Sequence, residues 1–247
     1  MDPFKGYDRE KLFELIYSGV VTLKKLPKGL FNRTLKHLID GLVSGITIEY
    51  DFKDELLLKE LKTNLYLFSG AKTEVQVMDM IGSMVGEDGK ILPYNKFKKL
   101  ADIKFEQYNV NYLKTEYNTA IGQGQIASKW DNIIKQQDHF TYLEYDAILD
   151  GRTSDLCRHF DGVTLPVNDP FWKEYSPLNH FNCRCIIHQV SKYDDPISTE
   201  KKIVKEAKEN ADKDGMQDIF KMNAYFDKVV FSKKHPYFEQ SLNYKQK

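Results

Sequence analysis

The sequence predicts an α+β fold in which a helical N-terminal half is followed by a small, loop-rich, mixed α/β domain. Three observations support this prediction. Apolar residues recur at helical spacing through the first half of the chain, the spacing changes near residue 139 to a strand-like alternation, and the stretch from Asp150 to Cys185 then shows little periodicity. At 247 residues, the chain is long enough for one or two domains.

Four helices are predicted in the N-terminal region. The first begins after Asp8, whose side chain is suited to capping, the second follows Pro27, and the third starts near Lys53. Gly70 is expected to separate the third helix from a fourth, because glycine weakens a helix interior. The turn GEDGK at 86–90 ends this region.

The middle of the chain changes from helix to strand. Residues 94–135 predict two helices or one long broken helix, in which Gly122 and Gly124 would let another backbone approach closely. The segment HFTYLEYDAIL at 139–149 alternates and is rich in aromatic residues, which favours a strand, and IIHQV at 186–190 is predicted to be a closing strand.

These patterns divide the chain into three predicted regions, 1–90, 91–190 and 191–247. Within the last region, residues 191–214 are almost all polar with charges of both signs, which indicates a solvated helix. Residues 216–247 mix lysines with aromatic residues, so this basic segment is expected to pack on the preceding domain.

Charge and the distribution of apolar residues together argue against several classes of protein. The chain has 36 basic and 36 acidic residues, and this zero net charge argues against a surface that binds nucleic acid or an anionic membrane throughout. A membrane-spanning helix is not expected, because no stretch approaches about 18 uninterrupted apolar residues. The N-terminus lacks the basic end and apolar run of a signal peptide, so secretion is not expected either.

The residues suited to metal chemistry are concentrated in the irregular stretch. The chain has three cysteines, Cys157, Cys183 and Cys185, and His180 precedes the last two in a His-x2-Cys-x-Cys pattern. Together they form a Cys3His set, which is an acceptable tetrahedral shell for zinc. A structural zinc ion could supply much of the folding energy of a long loop that has little regular structure.

The sequence leaves alternatives to this zinc site open. His159 and His188 are further candidate ligands. The cysteines could instead be buried thiols that pack as small hydrophobic groups, with His180 bonded to a loop carbonyl, or they could serve a redox or disulfide role. A catalytic pair of Cys157 with His159 or His180 is disfavoured, because the sequence supplies no recognisable third member.

Polar residues that flank the loop are predicted to stabilise it. Arg152 is expected to pair with Asp150, Asp155 or Glu116 and so lock the loop to the preceding helix. A structural ion pair is favoured over acid–base catalysis, because such networks are common and the sequence shows no matching substrate pocket.

The stretch YLEYDAILDGRTSDLCRHFDGVTLPVNDPFWKEYSPLNHFNCRC at 142–185 resembles the signature of the phage Mu F-like minor head proteins, also called phage head morphogenesis proteins. The family pattern is a strand, Asp-x-Arg-Thr, a Cys or His four residues before Asp-Gly, a Pro, and His-x2-Cys-Arg-Cys. Here it is carried by Asp150, Arg152, Thr153, Cys157, Asp161, Gly162, Pro177, His180, Cys183, Arg184 and Cys185. Ser154 stands where many relatives have a further cysteine, and the ligand set proposed above does not need it.

The resemblance is strong over residues 94–190 and weaker over 190–240. It adds Asp161 and Arg184 to the polar residues expected to hold the loop. It implies a non-enzymatic minor capsid protein of a tailed phage or prophage, present in the virion interior and, during assembly, in the host cytoplasm. Its partners would be the portal protein and other capsid or scaffold proteins, with residues 1–90 as the docking region.

In some relatives the protein is bound to DNA or ejected with it, so DNA contact is a weaker expectation here. It would involve two lysine groups: Lys96, Lys98, Lys99 and Lys104, and Lys228, Lys233 and Lys234. The alternative function is a zinc-dependent hydrolase or nuclease delivered during infection. That function needs an open coordination position, whereas four protein ligands, three of them thiolates, favour a closed structural site.

Overall fold

The computed structural model describes residues 2–46 and 52–242. The long helices are α1 (Arg9–Tyr17), α2 (Lys28–Ile46), α3 (Glu55–Gly82), α4 (Tyr94–Glu106) and α5 (Leu113–Gln136), and a π-helical segment (Gln107–Tyr112) joins the last two. The later elements are β1 (Tyr142–Asp146), α6 (Asp155–Arg158), β2 (Thr164–Pro166), α7 (Phe171–Glu174), β3 (Ile186–Val190), α8 (Lys201–Lys213), α9 (Ala224–Asp227) and α10 (Pro236–Gln240). The predicted α+β class is confirmed.

The structure corrects the predicted break at Gly70. Helix α3 runs through this residue without interruption. The buried stripe that begins at Leu57 continues through Phe68 to Val75, so tertiary packing outweighs the cost of about 1 kcal/mol that glycine brings to a helix interior. The low helix propensity of glycine was therefore a poor guide to the end of α3, which is decided by packing.

The three strands form an antiparallel sheet in the order β2-β1-β3. Tyr142 lies opposite Val190, and Asp146 lies opposite Ile186, so both predicted strands are confirmed, although β1 is shorter than expected. Strand β2 was not predicted, because three residues that end in proline give almost no strand signal. A helix is also present within the stretch 191–214 that was predicted to be a solvated helix, as α8, but it is shorter and buries Val204, Ala207 and Ala211 in the apolar core.

The chain divides into two compact units. The first comprises Met1–Gly41, Lys62–Asn118 and Lys233–Lys247, and the second comprises Leu42–Leu61 and Thr119–Ser232. The sheet and all three cysteines belong to the second unit. Among the described residues, we find no helix that is both long and apolar enough to cross a membrane.

A buried ion pair lies at the centre of the first unit. The Lys72 ammonium has no solvent exposure and donates to Glu116 Oε2 at 2.5 Å and to the Tyr108 carbonyl oxygen at 2.8 Å. The Tyr237 hydroxyl donates to the other oxygen of the same carboxylate at 3.1 Å. The predicted pairing of Glu116 with Arg152 is therefore wrong, because a buried lysine of helix α3 occupies the carboxylate.

Helices α2 and α5 pack closely within the second unit through glycines. A Cβ atom at Gly124 would overlap the carbonyl oxygen of Leu42, and one at Gly45 would overlap that of Ile121. At Gly122 an added Cβ would come within 2.6 Å of the Leu178 side chain. These contacts confirm the predicted close approach at both glycines. At Gly124 the neighbour is the backbone of α2, whereas at Gly122 it is the Leu178 side chain.

Candidate metal centre

Two cysteines and one histidine of the second unit converge at a single point. The sulfurs of Cys157 and Cys183 and a ring nitrogen of His180 all lie within 4.8 Å of one another. The two sulfurs are 3.7 Å apart. In a tetrahedral site with Zn–S bonds of about 2.3 Å, two sulfurs stand about 3.8 Å apart, so the observed spacing fits zinc without movement of either cysteine.

The fourth predicted ligand, Cys185, lies beside this triad. Its sulfur is within hydrogen-bonding reach of both Cys157 and Cys183, although it falls outside the set of atoms that are all within 4.8 Å of one another. The structure therefore brings the four predicted residues together, with Cys185 next to the two sulfurs. All three cysteines are free thiols and are buried.

Local structure explains how the cysteines reach one point. Cys157 lies on the short helix α6, while Cys185 immediately precedes β3 and, like Ile187 two residues later, is buried. The Tyr145 hydroxyl approaches the Cys157 sulfur at 3.7 Å and accepts a hydrogen bond from the Asn179 side chain at 2.9 Å. Tyr145 and Asn179 were missed from sequence, because their roles depend on contacts between distant segments.

The thiols differ in acidity because of their hydrogen bonds. Hydrogen bonds from the thiols of Cys157 and Cys185 hold the pKa of the Cys183 thiol well below its usual range, and backbone groups of Cys185 and Asn179 act in the same direction. The hydrogen bond with Cys183, together with burial, raises the pKa of Cys157. Cys183 is therefore the most acidic of the three thiols.

The orientation of His180 suits metal binding. Its Nδ1 lies 2.8 Å from the carbonyl oxygen of Phe181, which can only accept, so Nδ1 carries the proton and Nε2 keeps its lone pair. Metal-binding histidines commonly donate their second ring N–H to a carbonyl in this way. The alternative of packed thiols predicted the same hydrogen bond, and the sulfur spacing of 3.7 Å also fits a hydrogen bond between two thiols, so metal content distinguishes the two arrangements.

The two ends of the irregular stretch are joined by an ion pair. Arg184 donates to both oxygens of Asp150, at 2.8 and 2.6 Å, while the Arg152 guanidinium is 3.8 Å from the same carboxylate. Hydrogen bonds from Arg184 and from the Arg152 backbone hold the pKa of Asp150 well below its usual range. Arg152 therefore pairs with Asp150, one of the three partners predicted for it, but the closer side-chain partner of Asp150 is Arg184. Asp161 holds the loop by accepting from the Ala147 backbone N–H at 2.9 Å.

The two spare histidines have other partners. His159 Nε2 lies 2.6 Å from Asp214 Oδ2, and His188 Nε2 lies 2.7 Å from Asp146 Oδ2. Neither histidine belongs to the group of candidate ligands among the described residues.

A shallow hollow opens beside the cysteines. Its lining consists of Ile148, Arg152, Thr153, Ser154, Cys157, His180, Asn182, Arg184 and Cys185. Within the part of the chain that the structure describes, no carboxylate lines this hollow.

Comparisons with known proteins agree with the resemblance seen in the sequence. Residues 85–188 match the family described as Phage Mu protein F like protein. The chain is 32% identical over 84 residues to capsid assembly protein F of Escherichia phage Mu. The aligned region covers 34% of this chain and 17% of that protein. The chain is also 32% identical over 83 residues to the Mu-like prophage FluMu F protein of Haemophilus influenzae, with 33% and 19% covered. The match thus spans less than a fifth of either relative, and no solved structure matches the chain.

Proposed function

We propose that this chain, whose residues 85–188 match the family described as Phage Mu protein F like protein, is a non-enzymatic minor capsid protein that acts in head assembly of a tailed phage or prophage. It works in the capsid interior near the portal, and its partners are the portal protein and other capsid or scaffold proteins. The name of the phage Mu relative, a capsid assembly protein, supports this proposal.

The observation that carries the non-enzymatic assignment is the chemistry of the cysteine centre. A zinc hydrolase needs an open coordination position and a base beside it. The two nearby acids named in the sequence are both engaged, since Asp150 binds Arg184 and Asp161 binds the Ala147 backbone. Three thiols and an imidazole form the donor set of a closed structural zinc site.

In this proposal Cys157, His180, Cys183 and Cys185 hold a structural zinc ion. The ion would cross-link helix α6 to the segment that precedes β3, and its binding energy would stabilise the loop-rich stretch between them. The arrangement needs the sulfurs of Cys157 and Cys183 where they already stand, 3.7 Å apart.

DNA contact is a weaker part of the proposal. Two of the four lysines predicted on helix α4 are already in ion pairs, Lys98 with Glu10 at 2.5 Å and Lys104 with Asp79 at 3.7 Å. On this helix, DNA contact would therefore depend mainly on Lys96 and Lys99, and its affinity should fall steeply with salt concentration.

Metal analysis and a binding assay with the portal protein of the same phage test the two parts separately. We expect one zinc per purified chain. Cys183→Ser should lose the metal, and hydrogen exchange over residues 147–190 should become faster while helix α1 keeps its protection. The control Ser154→Ala changes a neighbouring residue that is not a proposed ligand, and it should alter neither the metal content nor the exchange. A metal-free wild-type chain with the same protection would contradict the zinc site.

Portal association is measured with the wild-type chain by sedimentation of the mixture. Co-sedimentation supports the assembly role. Lack of binding to the portal and to the major capsid and scaffold proteins would contradict it, and zinc-dependent cleavage of DNA or peptidoglycan would favour the enzyme instead.

A further inference from the structure

Helix α4 and the π-helical segment after it present an exposed ridge in the first unit. Leu100, Ile103 and Val110 on this ridge are between 41% and 63% exposed. The opposite side of the helix buries Phe97 and Phe105. A helix that already buries one apolar face does not need a second one in solvent, so the ridge has the composition of a contact surface.

The two ends of this ridge carry opposite charge. Lys96 and Lys99, near its N-terminal end, form no ion pair with any residue that the structure describes. Near its C-terminal end, Arg9 contacts Glu106 at 2.5 Å and Asp102 at 3.2 Å, while Lys98 is attracted to Asp102 and binds Glu10 at 2.5 Å. Three carboxylates therefore share two cations, so negative charge is in excess there.

We propose that this ridge is a self-association surface, on which α4 of a second copy of the chain packs antiparallel. Lys99 and Glu106 are seven residues apart, about 10.5 Å along the helix. An antiparallel pair centred near Ile103 places Lys99 of each copy opposite Glu106 of the other, so the contact contains two symmetric ion pairs around an apolar centre. This is the arrangement of a two-fold contact, in which the same patch serves both partners.

The charge pattern favours a second copy over a different partner. A helix of uniformly acidic character would suit Lys96 and Lys99 but would meet the excess negative charge at Glu106. Only a partner with the reversed order of charges satisfies both ends, and an antiparallel copy has that order by symmetry. The ridge from Lys96 to Val110 is about 21 Å long. A contact through one helix of this length is expected to bury less than the roughly 800 Å² per partner of a standard interface, so we expect a weak association that depends on concentration.

Sedimentation equilibrium of the full chain over a wide concentration range tests this surface. We expect a monomer–dimer equilibrium for the wild type, and none for Ile103→Asp. Lys99→Glu and Glu106→Lys should each weaken dimerisation about fivefold to tenfold, since each replaces two attractive pairs by repulsive ones. The double variant Lys99→Glu/Glu106→Lys restores opposite charges across the contact and should recover most of the wild-type affinity.

Lys24→Glu, an exposed charge reversal outside this helix, is the matched control and should leave dimerisation unchanged. Thermal unfolding of every variant checks that the fold is retained. A wild-type chain that stays monomeric at all concentrations, a dimer that survives Ile103→Asp, or a double variant as weak as the single variants would each overturn the proposal.

Discussion

The two polar centres of this protein lie in opposite kinds of scaffold. In the first unit, Lys72 and Glu116 meet between long helices, whose backbone groups bond within each helix. In the second unit, the cysteines and His180 meet in a stretch with only short pieces of regular structure. The helices therefore determine where the buried ion pair forms, whereas the loop needs its side-chain contacts to determine its own path.

The loop is not held by polar contacts alone. Cys157, Cys183 and Cys185 belong to one apolar cluster with large aromatic residues such as Trp130 and Phe160. The cysteines thus contribute both to the core and to the candidate metal centre. Substitutions can measure how much the stability of each unit depends on its polar centre.

The largest effect is expected for the buried ion pair. Glu116→Gln leaves the ammonium of Lys72 buried without its counter-charge, so the free energy of unfolding should fall by about 3–5 kcal/mol, measured by chemical denaturation. The double variant Lys72→Met/Glu116→Gln removes both charges and should regain most of this loss. If single and double variants lose the same amount, Lys72 is neutral in the native state and the ion pair does not exist.

Acid should weaken the first unit through His235. Burial, reinforced by the charge of Lys72, lowers the pKa of this imidazole to about 4. The unfolded chain then binds the proton more readily than the folded one. The free energy of unfolding should therefore fall as the pH drops from about 6.5 to about 4, by up to about 3 kcal/mol.

Denaturation midpoints measured across this pH range test the role of His235. In the structure the ring caps helix α10 by accepting from the Tyr237 backbone N–H. His235→Asn keeps an acceptor for that cap but removes the titration, so its stability should depend less on pH than that of the wild type. Parallel pH profiles for the two proteins would show that another group is responsible.

The contrast between the units also explains what could be predicted from sequence. Helix periodicity and the strand-like alternation identified most long elements, because these patterns are local. The break at Gly70 was wrong because packing decides it, and the partner of Glu116 was wrong because Lys72 lies 44 positions earlier. The candidate metal ligands were predictable from their spacing along the chain, but the support from Tyr145 was not, since no local pattern encodes it.

In the second unit, the close contact between helices α2 and α5 should also be sensitive to substitution. Gly124→Ala places a methyl group against the backbone of α2, and the free energy of unfolding should fall by about 1–3 kcal/mol, as measured by denaturation. Gly82→Ala is the control, because an added Cβ there meets nothing within 4 Å, and it should be neutral or slightly stabilising. Equal behaviour of the two variants would mean that the second unit does not depend on this helix contact.

The smallest global effect is expected for the ion pair that joins the ends of the loop. Arg184→Lys keeps the charge but loses the paired hydrogen bonds to Asp150, and this partly exposed contact should contribute little to global stability. Hydrogen exchange near residues 147–153 and 182–186 should nevertheless become faster. Arg152→Lys changes the more distant arginine and should have no such effect; a larger response there would restore Arg152 as the main partner.

Arg184→Lys also shows whether the loop depends on a metal. If zinc cross-links the loop, the ion holds its ends together even when the ion pair is weakened, so Arg184→Lys should speed exchange more after chelation than before. The buried pair of the first unit offers a reference, because chelation should leave the effect of Glu116→Gln unchanged. An effect of Arg184→Lys that is the same with and without chelator would mean that the loop is ordered by the apolar cluster and not by a metal.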